Sequence, residues 1–316
     1  MPSLIKPYLT GLFCAAESAT CTALARVVDH ASHDRLSRIL KDKRLEWQTL
    51  LSNLALKTLG KLDRGWLILD DTVLDKSFAK IIENLAWIYS SKEERSVFGL
   101  NLVVLAWSNG TLTIPLGVKI WKKAEGKSKY ELARELLAYA KNILNIRPDY
   151  VVFDSWYGSA AILGDIASYG WTFVCQLKKN RLLDGVQLKK FRKNPYWMAQ
   201  GKISGGMEVL VVKHGKKYFA TNDPALSKAD IFARYDTRWA IETMFRFLYD
   251  QLGIEECQSI SLQSQTAHIH LCLIAHALVE QAKTKTNRTG YEIIRECKFN
   301  RHYAENLLST VAFEAA

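Results

Sequence analysis

Residues 66–71 read Trp66-Leu67-Ile68-Leu69-Asp70-Asp71, an apolar run of strand length that ends in two carboxylates. From Gly65 onward the apolar period is two, whereas the residues before it carry helical spacing. After a segment rich in Glu, Lys and Ser come Val97–Trp107 (VFGLNLVVLAW) and Leu112–Trp121 (LTIPLGVKIW), separated by Ser108-Asn109-Gly110-Thr111. Asn and Gly both tolerate positive φ, so Asn-Gly between two apolar runs predicts a hairpin. Tyr130–Leu144 (YELARELLAYAKNIL) is spaced as an amphipathic helix, and Pro148 closes that region. Tyr150–Asp154 (YVVFD) is a second buried strand that ends in an acid, Gly158–Tyr169 reads as helix, and Trp171–Leu177 (WTFVCQL) as a fifth strand. Strands alternating with helices in this order predict an α/β sheet with covered faces.

The pattern breaks over 183–222, where Glu208–Lys213 (EVLVVK) and Lys217–Thr221 (KYFAT) are short strand-like pieces around Gly205-Gly206 and His214-Gly215. That segment is read as a small β insertion beside the catalytic sheet. A long helix is predicted from Lys228 to Gln251, and residues 257–316 read as helical. At the other end, Thr20–Val28 predicts a short helix, Asp29-His30-Ala31-Ser32 a polar break, and His33–Lys43 (HDRLSRILKDK) a second helix. Leu36, Ile39 and Leu40 share one side of it, while Arg35, Arg38, Lys41 and Lys43 occupy the rest. Two descriptions fit: a helix-turn-helix reader of DNA, or an ordinary bundle with a solvated basic face. The expected division is a helical region 1–60, a catalytic domain 61–182 with 223–256, the β-rich insertion 183–222, and a helical region 257–316.

Composition narrows the function classes. Of 316 residues 48% are hydrophobic, enough to bury a sizeable core. Lys and Arg number 43 against 32 Asp and Glu, a net charge of +11 that favours a polyanionic partner. The six cysteines form no C-x-x-C pair and sit mostly in apolar stretches, and the seven histidines give no H-E-x-x-H pattern, so a zinc site is not expected. His268 and His270 are read as structural. With no signal peptide and no apolar run long enough to span a membrane, the expectation is a soluble cytoplasmic protein.

Asp71 (or Asp70) and Asp154 stand at the ends of buried strands, where open α/β sheets bind ligands. A third acid lies in YDTRWAIETMFRFLY. If this stretch is one helix, Tyr235, Arg238, Glu242, Arg246 and Tyr249 fall within an arc of about 80°. Ala240, Ile241, Met244, Phe247 and Leu248 then form the core stripe. The polar stripe is either a ladder of i, i+4 ion pairs or a surface that meets phosphates. Three hard oxygen donors from separate elements suit Mg²⁺, and two such ions can activate a nucleophile and stabilise a leaving oxygen.

These residues together resemble the bacterial insertion-sequence DDE transposases with a Y-R-E-K signature, the insertion-sequence-four-like superfamily. Its spacing, Y-x2-R-x3-E-x6-K, is met by Tyr235, Arg238 and Glu242; the Lys position is Tyr249, a departure for which Arg246 on the same face offers a substitute. The resemblance covers residues 65–255. It implies a ribonuclease-H-like mixed sheet flanked by helices, with a β-rich insertion and helical N- and C-terminal regions. It favours the Asp directly before Thr72, hence Asp71, with Asp154 and Glu242 as the catalytic and metal-binding carboxylates. It implies two Mg²⁺ ions, with Mn²⁺ as a substitute, and double-stranded DNA (transposon ends and target) as the partner. A homodimer in the synaptic complex, a nucleoid-associated location and an N-terminal end-binding region carrying Arg35 and Arg38 also follow. In relatives the insertion holds a flipped base, for which Tyr196 and Trp197 are the available aromatics; the other reading of both is as core of the small sheet. Two further readings stay open: a nuclease of the same fold that does not join strands, and a transposase-derived DNA-binding protein without catalysis.

Overall fold

The computed structural model describes residues 5–29, 31–60, 64–90, 93–191 and 194–309. His30, the domain boundary at 61–63, positions 192 and 193 of the insertion and the C-terminal stretch 310–316 lie outside the described residues.

Four helices come first: α1 (Ile5–Cys14), α2 (Cys21–Val27), α3 (His33–Leu40) and α4 (Trp47–Leu59). Thr20 and Ser32 cap α2 and α3 by accepting from the amides of Ala23 and Arg35. The sheet begins with β1 (Trp66–Asp75), which continues past both acids, then β2 (Ala86–Ser90), β3 (Arg95–Ser108) and β4 (Thr113–Trp121). The strand β2 lies in the Glu-, Lys- and Ser-rich segment. Its alternation of exposed Trp87 and Tyr89 with partly buried neighbours is too brief to stand out from that composition. One edge of β3 holds both β2 and β4, and its other edge pairs along the whole of β1. In the turn between β3 and β4 the Asn109 side chain accepts from the amides of Thr111 and Leu112, and Gly110 takes φ 90°.

Next come α5 (Lys129–Asn142), β5 (Val151–Phe153), α6 (Ala160–Ser168) and β6 (Phe173–Leu177). A capping box between Ser128 and Glu131 starts α5. The fully buried β5 runs parallel to both β1 and β6, which places it at the centre of the sheet.

The insertion is built differently from the expected appendage. A two-stranded ribbon, β7 (Leu182–Leu183) with β8 (Val186–Gln187), and a single turn, α7 (Leu188–Phe191), lead into β9 (Tyr196–Lys202), β10 (Glu208–His214) and β11 (Lys217–Thr221). The last of these pairs antiparallel with β6, so the main sheet runs β2-β3-β1-β5-β6-β11-β10-β9, with β4 beside β3, nine strands in all. The insertion therefore supplies three of the nine strands of the central sheet. The reason is the edge of β6: its own residues Val174 and Cys175 are fully buried, and a buried edge needs a partner for its backbone groups.

The predicted long helix is two helices, α8 (Lys228–Asp236) and α9 (Trp239–Leu252). Thr237 donates its hydroxyl back to Arg234, and the chain tightens to i→i−3 bonds from Arg238 to Tyr235, Ala240 to Thr237 and Ile241 to Arg238. Finally α10 (Leu262–Thr286), α11 (Gly290–Phe299) and α12 (Arg301–Ser309) pack with α1. The long α10 also packs on α3, α4, α9 and β4, so the N- and C-terminal helices make one layer over the sheet and share one core with it. The whole is a mixed α/β architecture compatible with the ribonuclease-H-like expectation.

Buried histidines fill that layer. His268 donates from Nε2 to the Gly253 carbonyl (3.0 Å), which leaves Nδ1 to accept from the Tyr8 hydroxyl (2.8 Å). Burial holds both His268 and His270 down at about 4. Between pH 6.5 and 4 the unfolded chain then binds protons that the folded chain refuses, so stability falls as pH falls. Each histidine should cost roughly 3 kcal/mol over that interval. Urea unfolding of the wild type and of His268→Gln across this range checks it: the variant should lose less stability on acidification, and parallel curves would rule the histidine out as a cause.

Candidate active site

The pairing of β1 with β5 decides where the acids meet. Leu67 lies beside Val151, Ile68 beside Val152 and Leu69 beside Phe153. One step further along the same register, Asp70 reaches the level of Asp154, and parallel neighbours project to the same side of a sheet. Asp70 Oδ2 accepts from Arg238 Nη1 at 2.7 Å, and Nη2 of the same guanidinium donates to Glu242 in the first turn of α9. One arginine thus joins the acid of β1 to the acid of α9.

Asp71 points the other way. Its Oδ2 accepts from Asn101 (2.7 Å) and Lys129 (2.8 Å), and its Oδ1 from the Tyr157 hydroxyl (2.8 Å). Asp154 accepts from the amide of Trp156 at 2.9 Å, which shapes the turn after β5.

Burial raises Asp70 to about 7 against the pull of Arg238, with Asp154 and Asp71 adding to the rise. Burial likewise raises Asp154, with Asp71 adding to it. Burial works against the charge on Arg238, but Asp70, Tyr235 and Glu242 more than offset it and the group is raised. The site therefore concentrates acids whose negative charge is under-compensated. Its arginine also has an unpaired donor, since the buried Nε of Arg238 has no hydrogen-bond partner.

Two clefts meet on this floor. One, of about 470 Å³, lies on the α9 side, and its lining includes Asp70, Asp71, Asp154, Arg238, Glu242 and Arg246. The other, of about 510 Å³, lies on the α5 side and shares Asp70, Asp71 and Asp154 with it.

The break at Thr237 redistributes the predicted stripe. Tyr235 donates to Gln176 (3.0 Å) and packs edge-on against Phe219. Arg246 is exposed in the first cleft. Tyr249 donates to the Val73 carbonyl and accepts from Thr72, both at 2.8 Å, and so fastens α9 to β1. Trp197 is 7% exposed and packs against Phe191 and Tyr218, a core position of the extended sheet, while Tyr196 is 54% exposed. Arg35 and Arg38 lie on α3 in the helical layer, where Arg38 is exposed and Leu36, Ile39 and Leu40 are buried. Sequence reasoning missed Asn101, Lys129 and Tyr157; no local motif marks them, because they reach Asp71 only through the tertiary fold.

A profile of the transposase DDE domain matches residues 62–278, more than half of the chain. The chain belongs to this family. No curated protein matches this transposase. Among solved structures, the NurA nuclease from Sulfolobus solfataricus aligns at 11% identity and TM-score 0.30 over 63% of this chain and 85% of its own. At that score the likeness carries no weight for fold or function.

Transposases of this family are generally dependent on divalent metal. Among the described residues no three His, Cys, Asp or Glu side chains stand close enough to enclose an ion. The chemistry nonetheless fits: hard carboxylate oxygens, raised by burial and mutual repulsion, with a guanidinium neutralising two of them. No described helix is long and apolar enough to cross a membrane.

Proposed function

We propose that this transposase cleaves transposon ends and joins them to target DNA, with Asp70, Asp154 and Glu242 holding two divalent ions, Mg²⁺ by preference and Mn²⁺ as a substitute. The observation that carries the reading is the single Arg238 guanidinium shared by Asp70 and Glu242, with Asp70 and Asp154 each one residue beyond the last paired residues, Leu69 and Phe153. Asp71, favoured from the sequence, has its charge met by Lys129 and accepts further bonds from Asn101 and Tyr157, so we assign it to positioning rather than to the metal. When bound, the ions supply positive charge that activates the attacking oxygen and stabilises the leaving one. The protein's own groups do the rest. Glu242 would hold an ion in place of its bond to Arg238, and Arg238, whose Nε has no partner, would turn its donors toward a phosphate. Arg246, exposed in the same cleft, takes the phosphate contact that the family's lysine makes, since Tyr249 is tied to β1. The N-terminal helices with Arg35 and Arg38 bind transposon ends, and two copies pair in the synaptic complex.

The test is incubation of the protein with an end fragment taken from the inverted repeats that flank the gene, a target duplex and Mg²⁺ or EDTA. Joined product in Mg²⁺ alone is the expected result. Cleavage without joining would reduce the protein to a nuclease, and binding alone to a DNA-binding protein. For Arg246→Ala, the slope of log affinity against log salt should flatten by about one unit, the signature of one lost phosphate contact. Fluorescence anisotropy over a salt series reads it, and an unchanged slope would remove Arg246 from the DNA.

A further inference from the structure

The cleft on the α5 side differs in kind from the one on the α9 side. Beyond the shared acids its walls carry Lys129 and five aromatic side chains, Trp87, Tyr89, Trp121, Tyr130 and Trp156. Trp156 is 43% exposed and lies parallel to Tyr130, with centroids 6.1 Å apart and planes within 10°. Two ammonium groups lie over its ring, Lys129 at 4.8 Å and Lys178 at 4.4 Å. Trp121 is oriented by a 2.9 Å bond from its indole N–H to the Lys127 carbonyl, which leaves its ring as a fixed plane. Lys129 is itself held by Asp71 at 2.8 Å. The α9 side offers arginines and a carboxylate, a surface for phosphate and metal; the α5 side offers aromatic planes with flexible cations beside them.

We propose that this groove receives unpaired nucleotides of the DNA strand whose phosphate sits on the carboxylates, a role that rests on the DNA reading above. Aromatic planes accept any base by stacking, and Lys178, which now lies on Trp156, moves to a backbone phosphate of the same strand while Lys129 stays on Asp71. A paired duplex cannot present its bases to these planes without unstacking, whereas the α9 cleft contacts phosphates and is indifferent to pairing. Continuity argues for this occupant: the two clefts share Asp70, Asp71 and Asp154, so one strand crossing the acids places a phosphate on one side and its neighbouring base on the other. Of the two aromatics that the resemblance offered for stacking, Trp197 is buried in the sheet and Tyr196 stays exposed on β9; the aromatic planes beside the acids come from β2, the end of β4, the start of α5 and the loop after β5.

The test compares two duplexes of equal length in EDTA, one fully paired and one with a central run of unpaired thymidines, by fluorescence anisotropy with the full chain. The readout is the ratio of their affinities. The wild type should favour the unpaired probe by about tenfold, the worth of a stacked base. Trp156→Ala should bring the ratio close to one, and Trp156→Phe, which keeps a ring, should retain most of it. A wild-type ratio near one with tight binding of both probes overturns the groove and leaves the DNA reading standing. A preference that survives Trp156→Ala also overturns the groove. Failure of the wild type to bind either probe removes both.

Discussion

Asp70→Asn should abolish metal-dependent cleavage of a transposon end, by about a thousandfold or more, while Asp71→Asn should leave most of it. The divalent ions are asked for several kcal/mol of charge stabilisation, and each 1.36 kcal/mol is tenfold in rate. A neutral amide at position 70 removes a ligand from the level of Asp154. At position 71 the amide keeps one oxygen, which can still accept from Asn101, and loses the acceptor that Tyr157 meets and the charge facing Lys129, with a cost of about tenfold through misplacement of that lysine. Cleavage rates in Mg²⁺ on a labelled end, with affinity measured separately in EDTA, distinguish the two. The reverse order, with Asp71→Asn dead and Asp70→Asn active, would return the first carboxylate to Asp71.

The second large effect concerns Arg238. Its side chain is 19% exposed and that of Asp70 15%, so the pair is shielded but not sealed. Removing one partner of a fully buried pair costs about 3–5 kcal/mol, and the open cleft should reduce this to roughly half for Arg238→Ala in EDTA. Two carboxylates lose their cation at once, since Glu242 shares the same guanidinium. A divalent ion can take its place. Mg²⁺ at about a hundredfold over its Kd returns close to 2.7 kcal/mol to a protein that binds it only when folded. The variant should therefore regain more melting temperature on addition of Mg²⁺ than the wild type, in which the ion must first release Glu242 from Arg238. Cleavage should stay low even so, because the phosphate has lost its positioning donor. Equal Mg²⁺ responses in the two proteins would show that Arg238 does not stand where the ions bind.

The strands, the hairpin and most helices were legible in the sequence because each rests on contacts within a few residues: the period of the apolar side chains, Asn109-Gly110 at the turn, Ser128 with Glu131 at the start of α5. The three candidate carboxylate positions, the end of the first strand, the end of YVVFD and the helix of Glu242, come from that local reading as well. What the chain order could not decide is which neighbour each element meets. Whether Asp70 or Asp71 faces Asp154 depends on the parallel register of β1 with β5, set by residues about eighty positions apart, and a shift of one residue exchanges the two acids. The insertion joined the main sheet because β6 had a buried edge to satisfy, a demand that exists only once β5 and β6 are side by side. The single helical stripe from Tyr235 to Tyr249 was divided because the Thr237 hydroxyl turned back on the helix, after which Gln176, Asp70 and Val73 each drew off one of its members. Local periodicity determines which segments form and which acids sit at their ends; long-range pairing of strands and burial of their edges determines which of those acids share a site.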